Sequence, residues 1–482
     1  MEKTITEEAG KEDINQAFRD QITTVSKEGK RKWVYPKKPF GRFYNARNVV
    51  STLLLLFLFV TPFIKVNGRP LILLDIINRN FILFGIPFGP HDFFLLVLAM
   101  IAAIVSIFLF TSVFGRVFCG WACPQTIFME MVFRKIEYWI EGDFRDQKKL
   151  HAQPWNQKKA LKKLFKHLIF YTLSFIIANF FLAYIISMDR LLEIITDPPS
   201  EHLQGLIAIM IFSGIFYWVF AYFREQVCTV VCPYGRLQGV MLDRDSIVIA
   251  YDNIRGEPRG LLKKGEARTN SGDCIDCNLC VDVCPTGIDI RNGIQLECIN
   301  CTACIDACDF VMDKINKPRG LVRYASINSI EKKKKFSFTP RSFAYTAVLV
   351  VLTGLLSFLM ATRSDFSINI LRTPGLLYQQ QPGGKVSNIY DLNIVNKTFD
   401  KTELNLKLEN IEGEISIIGN DLIIKPQEII DAKIMIILSN DNITRLNTPI
   451  EIGVYQNDVL IKKIETTLLG PVKKRDEYEK KD

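Results

Sequence analysis

The sequence predicts a multi-domain membrane protein. It has an α-helical bundle of about five transmembrane spans, a cysteine-rich insert and a C-terminal immunoglobulin-like β-sandwich. Three observations lead there. Five apolar runs are long enough to cross a bilayer, all twelve cysteines fall in close-spaced groups between residues 119 and 308, and the apolar period switches to two beyond residue 385. At 482 residues the chain is too long for one ordinary domain.

The spans are read at approximately 48–66, 92–114, 167–188, 204–223 and 341–361, because a helix needs roughly 20 apolar residues to cross the hydrocarbon core. Orientation follows from the Lys and Arg bias. Residues 1–47 carry eleven Lys and Arg, 115–166 another eleven and 224–341 eighteen, whereas 189–203 hold one Arg and four acids. The basic segments are therefore expected in the cytoplasm, with the N-terminus inside and the C-terminal domain outside. The formal charge of +9 is thus assigned to this membrane bias rather than to nucleic acid. The first run lies too deep in the chain, without a small-residue cleavage site, to read as a removed signal peptide. Leu71 to Gly89 is interrupted by Asp75, Arg79, Gly85 and Pro87, and reads as an interfacial or re-entrant piece rather than a sixth span.

Between spans four and five stand Cys274, Cys277, Cys280 and Cys284, followed by Cys298, Cys301, Cys304 and Cys308. This is C-x2-C-x2-C-x3-C twice, the run of two-cluster bacterial ferredoxins, in which the fourth cysteine ligates the other cluster. The expected [4Fe–4S] sets are Cys274, Cys277, Cys280 with Cys308, and Cys298, Cys301, Cys304 with Cys284. The second motif ends in Asp309 where the first has Pro285, which removes a rigid turn but no ligand. A pair of zinc sites would not call for this triplet spacing. The insert is therefore ferredoxin-like, and suits one-electron relay in a reducing compartment.

The other four cysteines form two CxxxCP motifs, Cys119 to Pro124 after the second span and Cys228 to Pro233 after the fourth. An i, i+4 spacing on a helix stacks both sulfurs on one face, and each Pro can open a new helix. If spans two and four pack together, four thiolates could converge. Such a set suits Cu(I), zinc or an Fe–S centre, or can cycle as dithiols. The plain alternative is four small residues that merely pack. His91, His151, His167 and His202 are not paired on one span, so no haem is expected, and no Gly-rich loop supports a flavin or nicotinamide site.

The expected domains are a basic N-terminus (1–47), a four-helix membrane domain (48–250), the ferredoxin-like insert (251–340), a fifth span (341–361), a linker (362–385) and the sandwich (386–482). The alternation Leu404, Leu406, Leu408 and Ile450, Ile452, Val454, with turns at Asn420-Asp421 and Ser439 to Asn442, carries the last. It lacks cysteine and histidine and is read as a docking domain or solubilising cap.

The chain resembles the FixG-type (CcoG-type) cytochrome c oxidase accessory proteins. The likeness rests on Phe114 to Thr126, Arg224 to Tyr234, Asp252 to Gly260, the ferredoxin run and Arg319 to Tyr324. It implies a bacterial inner-membrane protein that helps to mature a cbb-type haem–copper oxidase by keeping copper as Cu(I). The eight ferredoxin cysteines would relay electrons from a cytoplasmic donor. Cys119, Cys123, Cys228 and Cys232 would be the copper-facing or redox thiols. A copper chaperone or assembly scaffold without turnover ranks second, and a quinol-linked conduit to a periplasmic partner third.

Overall fold

The computed structural model describes residues 23–471 apart from positions 27, 67, 77–79, 90–91, 262–270, 334–337, 376, 399–400, 420–421, 426–427 and 444. Part of the basic N-terminus, Arg79, His91 and the Asn420-Asp421 turn lie outside the described residues. The chain divides into two compact units, Met1–Leu74 with Val97–Leu355, and Asp75–Leu96 with Leu356–Asp482.

Among the described residues, five helices are long and apolar enough to cross a membrane: Arg42–Phe63, Phe93–Phe114, Gln157–Ile186, Leu203–Phe223 and Pro340–Ala361. They match the five apolar runs. The first and third start earlier than hydropathy suggests, because a helix continues through flanking basic residues wherever backbone bonding and caps allow it. Asn156 caps the third, its Oδ1 accepting from Lys159 N at 2.7 Å. The first is capped from afar. Gly41 has no side chain to offer, and Asp306 of the insert accepts from Phe43 N at 3.1 Å and Tyr44 N at 2.8 Å. Apolar side chains such as Leu53, Ile104, Ile207 and Val351 stay exposed along these helices, far more apolar surface than water tolerates.

Between the first two long helices no sixth apolar helix stands among the described residues. The piece there forms the short strands Lys65–Val66, Arg69–Pro70, Ile72–Asp75, Asn80–Leu83 and Ile86–Phe88. Gly85 at positive φ turns the last two into a hairpin in which Phe81 pairs with Phe88. Short β-rich segments broken by turn residues cannot sustain a helix.

The ferredoxin-like insert is framed by a two-stranded antiparallel sheet, Val248–Tyr251 on Val322–Ala325. The expected boundary at 250/251 therefore cuts a strand, because the sheet partner lies beyond the cysteines. Inside the frame runs the helix Ala303–Lys314.

In the second unit, Lys385–Asn396 pairs antiparallel with Ile429–Ser439 on one edge and Phe366–Arg372 on the other. Gly413–Ile418 extends that sheet, while Asn405–Leu408, Asn447–Gln456 and Val459–Leu469 form a second. Ile368, Leu392, Ile394, Ile434, Ile450, Ile452 and Val454 are buried in one core. The segment 362–385, expected as a linker, supplies the strands Phe366–Arg372 and Gln379–Gln381. Its Phe366, Ile368 and Ile370 fill the core face and leave the intervening residues more exposed. Buried Asp92, also in this unit, pairs with Arg363 at 2.8 Å and Lys397 at 2.9 Å.

Candidate iron–sulfur and thiol site

The eight insert cysteines line two neighbouring hollows. One is bordered by Cys274, Cys277, Cys280 and Cys308 with Tyr251, Met312 and Leu321. The other is bordered by Cys284, Cys298, Cys301 and Cys304 with Ile249, Ile288 and Ile299, and touches Cys280 as well. The fourth cysteine of each motif thus stands in the other motif's hollow. Cys308 comes from the helix Ala303–Lys314, and Cys284 from the turn after Leu279–Asp282.

The loops repeat one backbone device. Asp276 and Asn278 in the first motif, and Asn300 and Thr302 in the second, take positive φ of 52°, 58°, 53° and 67°. Asp and Asn tolerate this region, whereas for β-branched Thr302 it is a strained conformation. Alternating left-handed residues turn successive N–H groups inward, a nest for anionic sulfur. Backbone N–H groups of Thr286, Gly287 and Ile288 face Cys284, and that of Asn300 faces Cys298. Arg291 clamps the first loop through Asp276 and Asn278, both at 2.5 Å.

Four sulfurs, an apolar lining and inward N–H donors fit a [4Fe–4S] cluster in each hollow. Burial pushes the bare thiols of Cys280, Cys298 and Cys308 up to about 12 and Cys301 to about 11. Asp309 is not in either hollow. It accepts from Gly320 N at 2.9 Å and pairs with Arg42 at 3.4 Å.

Both CxxxCP motifs are helix junctions. Cys123 (ψ 123°) and Cys232 (ψ 111°) are extended, and Pro124 and Pro233 each sit at the start of the next helix. The two motifs converge through those following helices. The helix Pro233–Met241 docks on the end of the second long helix, where Tyr234 and Thr111 hydroxyls meet at 2.6 Å. Ser246 Oγ donates to Ser112 O at 2.6 Å, and Ile247 N to Val113 O at 2.9 Å.

The first cysteine of each pair then faces the helix begun by the other. Gln238 Nε2 lies 3.4 Å from Cys119 Sγ, and Thr126 neighbours Cys228. Cys123 and Cys232 neighbour both Cys119 and Cys228, and burial pushes Cys119 up to about 11 and Cys228 to about 12.

This quartet abuts the second ferredoxin loop. Cys119 and Cys228 pack on the cluster of Val283, Ile299, Cys301 and Ala303. Gly120 lies so close that a Cβ there would stand 2.5 Å from Ile299 O and 2.7 Å from Asn300 O. Arg47, only 3% exposed, donates Nε–H to Gly120 O and Nη1–H to Cys301 O, both at 3.0 Å. Arg116 makes a second strap by donating to Leu296 O and Gly235 O.

An ionic network fixes the turn into the second motif. Arg224, at φ 52°, makes a bidentate pair with buried Glu137 at 3.0 and 2.6 Å. Lys166 reaches Glu137 at 3.3 Å and Glu141 at 2.9 Å. Burial alone would raise the Glu137 carboxyl, but Arg224, Lys166 and Arg134 outweigh it and hold it at about 2. Sequence reading missed Arg47, Gly120, Arg116, Gln238 and Glu137. The glycine inside Cys-Gly-Trp-Ala-Cys was the one local signal, since a glycine between two ligand-type residues invites a close backbone approach.

Comparison with known proteins matches two segments of the chain to iron–sulfur families. A 4Fe-4S dicluster domain matches residues 223–327, and a 4Fe-4S binding domain matches 95–145. Residues 356–471 match the Ig-like fold at the C-terminus of FixG. RdxB of Cereibacter sphaeroides is 36% identical over 78% of this chain and 81% of its own. The chain belongs to the FixG family. Nitrogen fixation protein FixG of Rhizobium meliloti is 31% identical over 79% of this chain and 80% of its own. The crystal structure of a FixG-related protein from Vibrio parahaemolyticus matches 23% of this chain and 100% of its own, at 20% identity and TM-score 0.20.

Proposed function

We propose that this FixG-family member is an iron–sulfur electron-transfer protein of a bacterial inner membrane. It serves assembly of a cbb-type cytochrome c oxidase by reducing Cu(II), its substrate, to Cu(I). The five apolar helices cross the lipid, with the N-terminus and the insert in the cytoplasm and the sandwich in the periplasm. The Lys and Arg bias supports this orientation.

Cys274, Cys277, Cys280 and Cys308 hold one cluster and Cys284, Cys298, Cys301 and Cys304 the other, which the crossed lining of the two hollows supports. One-electron relay is the chemistry those clusters supply when bound. The chain's own residues line both hollows with apolar side chains and direct N–H groups at the sulfurs. Cys277 is the exposed ligand of the first set, and there a cytoplasmic donor would approach.

The single observation that carries the reading is the joint between the second ferredoxin loop and the CxxxCP quartet, made by Gly120 and Arg47. It supports Cys119, Cys123, Cys228 and Cys232 as the exit where electrons meet copper. The sandwich is the docking domain for the oxidase assembly machinery.

The test is Cu(II) reduction by cluster-loaded protein with a reductant, followed with a Cu(I)-specific chelator. The Cys119→Ala/Cys123→Ala variant should be slower by an order of magnitude or more. Equal rates would remove the thiols from the reaction.

A further inference from the structure

Four thiols gathered at one point could serve one ion, a dithiol couple or a cluster, and the spacing separates these. Among the described residues, the only His, Cys, Asp and Glu donors gathered in threes within 4.8 Å of one another are Asp197, Glu201 and His202. A tetrahedral ion with metal–sulfur bonds of about 2.3 Å would draw its sulfurs to roughly 3.8 Å apart. The CxxxCP quartet is therefore wider than a single-ion site. Like the two ferredoxin sets, where each sulfur must reach its own corner iron, it has no three sulfurs within 4.8 Å of one another.

A second observation points to a bound group. Thr126, only 3% exposed, neighbours Cys228 and bonds its thiol. The side-chain amide nitrogen of Gln125, the residue before it, is buried and has no hydrogen-bond partner among the described residues. A buried donor is left unmatched only at a cost of about 1–3 kcal/mol. Inorganic sulfide in the quartet would supply the acceptor.

The surroundings favour relay as well. Gln238, fully buried, faces Cys119, and Gly235 allows its helix to close on Cys228 O, which a Cβ would approach to 2.5 Å.

We infer that Cys119, Cys123, Cys228 and Cys232 ligate a third iron–sulfur cluster, placed beside the Cys284, Cys298, Cys301 and Cys304 set. For its role this rests on the reading of the quartet as the electron exit. The quartet would then act through bound iron, not as free thiols.

The test is iron, acid-labile sulfide, copper and zinc analysis of anaerobically purified full-length protein, with Mössbauer spectra of 57Fe-grown material. Wild type should carry about twelve irons and twelve sulfides per chain. Cys119→Ser/Cys228→Ser should carry about eight, with the spectrum of the ferredoxin pair retained as the sign of a folded insert. About eight irons in wild type, with or without one copper or zinc, would overturn the inference. Where the variant does not fold, the wild-type count and spectral areas decide alone. Twelve irons without Cu(II) reduction would refute the reductase reading and keep the cluster. Eight irons with reduction intact would do the reverse.

Discussion

A methyl group added at Gly120 tests the joint that the proposed electron path crosses. In Gly120→Ala the new Cβ would stand 2.5 Å from Ile299 O, 2.7 Å from Asn300 O and 2.8 Å from Asn300 C. All three are backbone atoms, so no side chain can swing aside. Ordinary contact lies near 3.5 Å, and the two loops must part by roughly 1 Å. Arg47 holds Gly120 O and Cys301 O with one guanidinium, each bond at 3.0 Å. A parting of roughly 1 Å carries one of them out of hydrogen-bond range.

Overpacking of this kind costs about 1–3 kcal/mol, and a buried bond to a charged donor about 1.5–3 kcal/mol more. A loss near 4 kcal/mol lowers the melting temperature of a unit this large by about 6 °C. The assay is thermal unfolding of detergent-solubilised, cluster-loaded protein, followed by bleaching of the iron–sulfur absorption. Gly214→Ala, where nothing lies within 4 Å of the added Cβ, is the control and should melt with wild type. If Gly120→Ala melts within about 1 °C of that control, the loops are not in contact as described, and the joint fails.

The crossed ligand sets predict crossed losses: Cys308→Ser should remove the signal of the Cys274, Cys277 and Cys280 cluster and spare the other, while Cys284→Ser does the opposite, read by EPR of the reduced protein. Glu137→Gln leaves Arg224 and Lys166 facing a neutral partner and should cost about 3–5 kcal/mol at pH 7 in unfolding experiments. Because the folded Glu137 carboxyl lies at about 2, below its usual 4.5, its stabilisation is complete above the unfolded value and lost as pH falls. The difference between wild type and Glu137→Gln should therefore shrink only as pH is lowered from about 4.5 toward 2. In the sandwich, Asn388 donates to Leu469 O at 2.7 Å and accepts from Leu469 N at 3.2 Å, so Asn388→Leu should destabilise that unit by about 2–4 kcal/mol in chemical denaturation.

Much of the architecture was legible because its signals are local. Twenty apolar residues declare a helix long and apolar enough to cross a membrane, and C-x2-C-x2-C-x3-C declares a cluster loop through the reach of its own backbone. The strand Phe366–Arg372 shows the limit. Phe366, Ile368 and Ile370 alternate as a strand should, but the charges at Arg363 and Asp365 and the Pro374-Gly375 turn disguise it as a linker. Only its pairing with Lys385–Asn396 makes it part of the core.

The site divides the same way. Sequence determined which residue types are present and how each motif bends: cysteines at ligand spacing, prolines that restart helices, Asp and Asn where the loop turns left-handed. Tertiary structure decided what those motifs meet. Arg47 lies 73 residues from Gly120 and 254 from Cys301, and no periodicity links them. Glu137 and Arg224 are 87 residues apart, yet their bidentate pair sets the turn before Cys228. Local spacing fixes backbone geometry over a few residues, whereas the convergence of four thiols beside a ferredoxin loop depends on packing between distant segments.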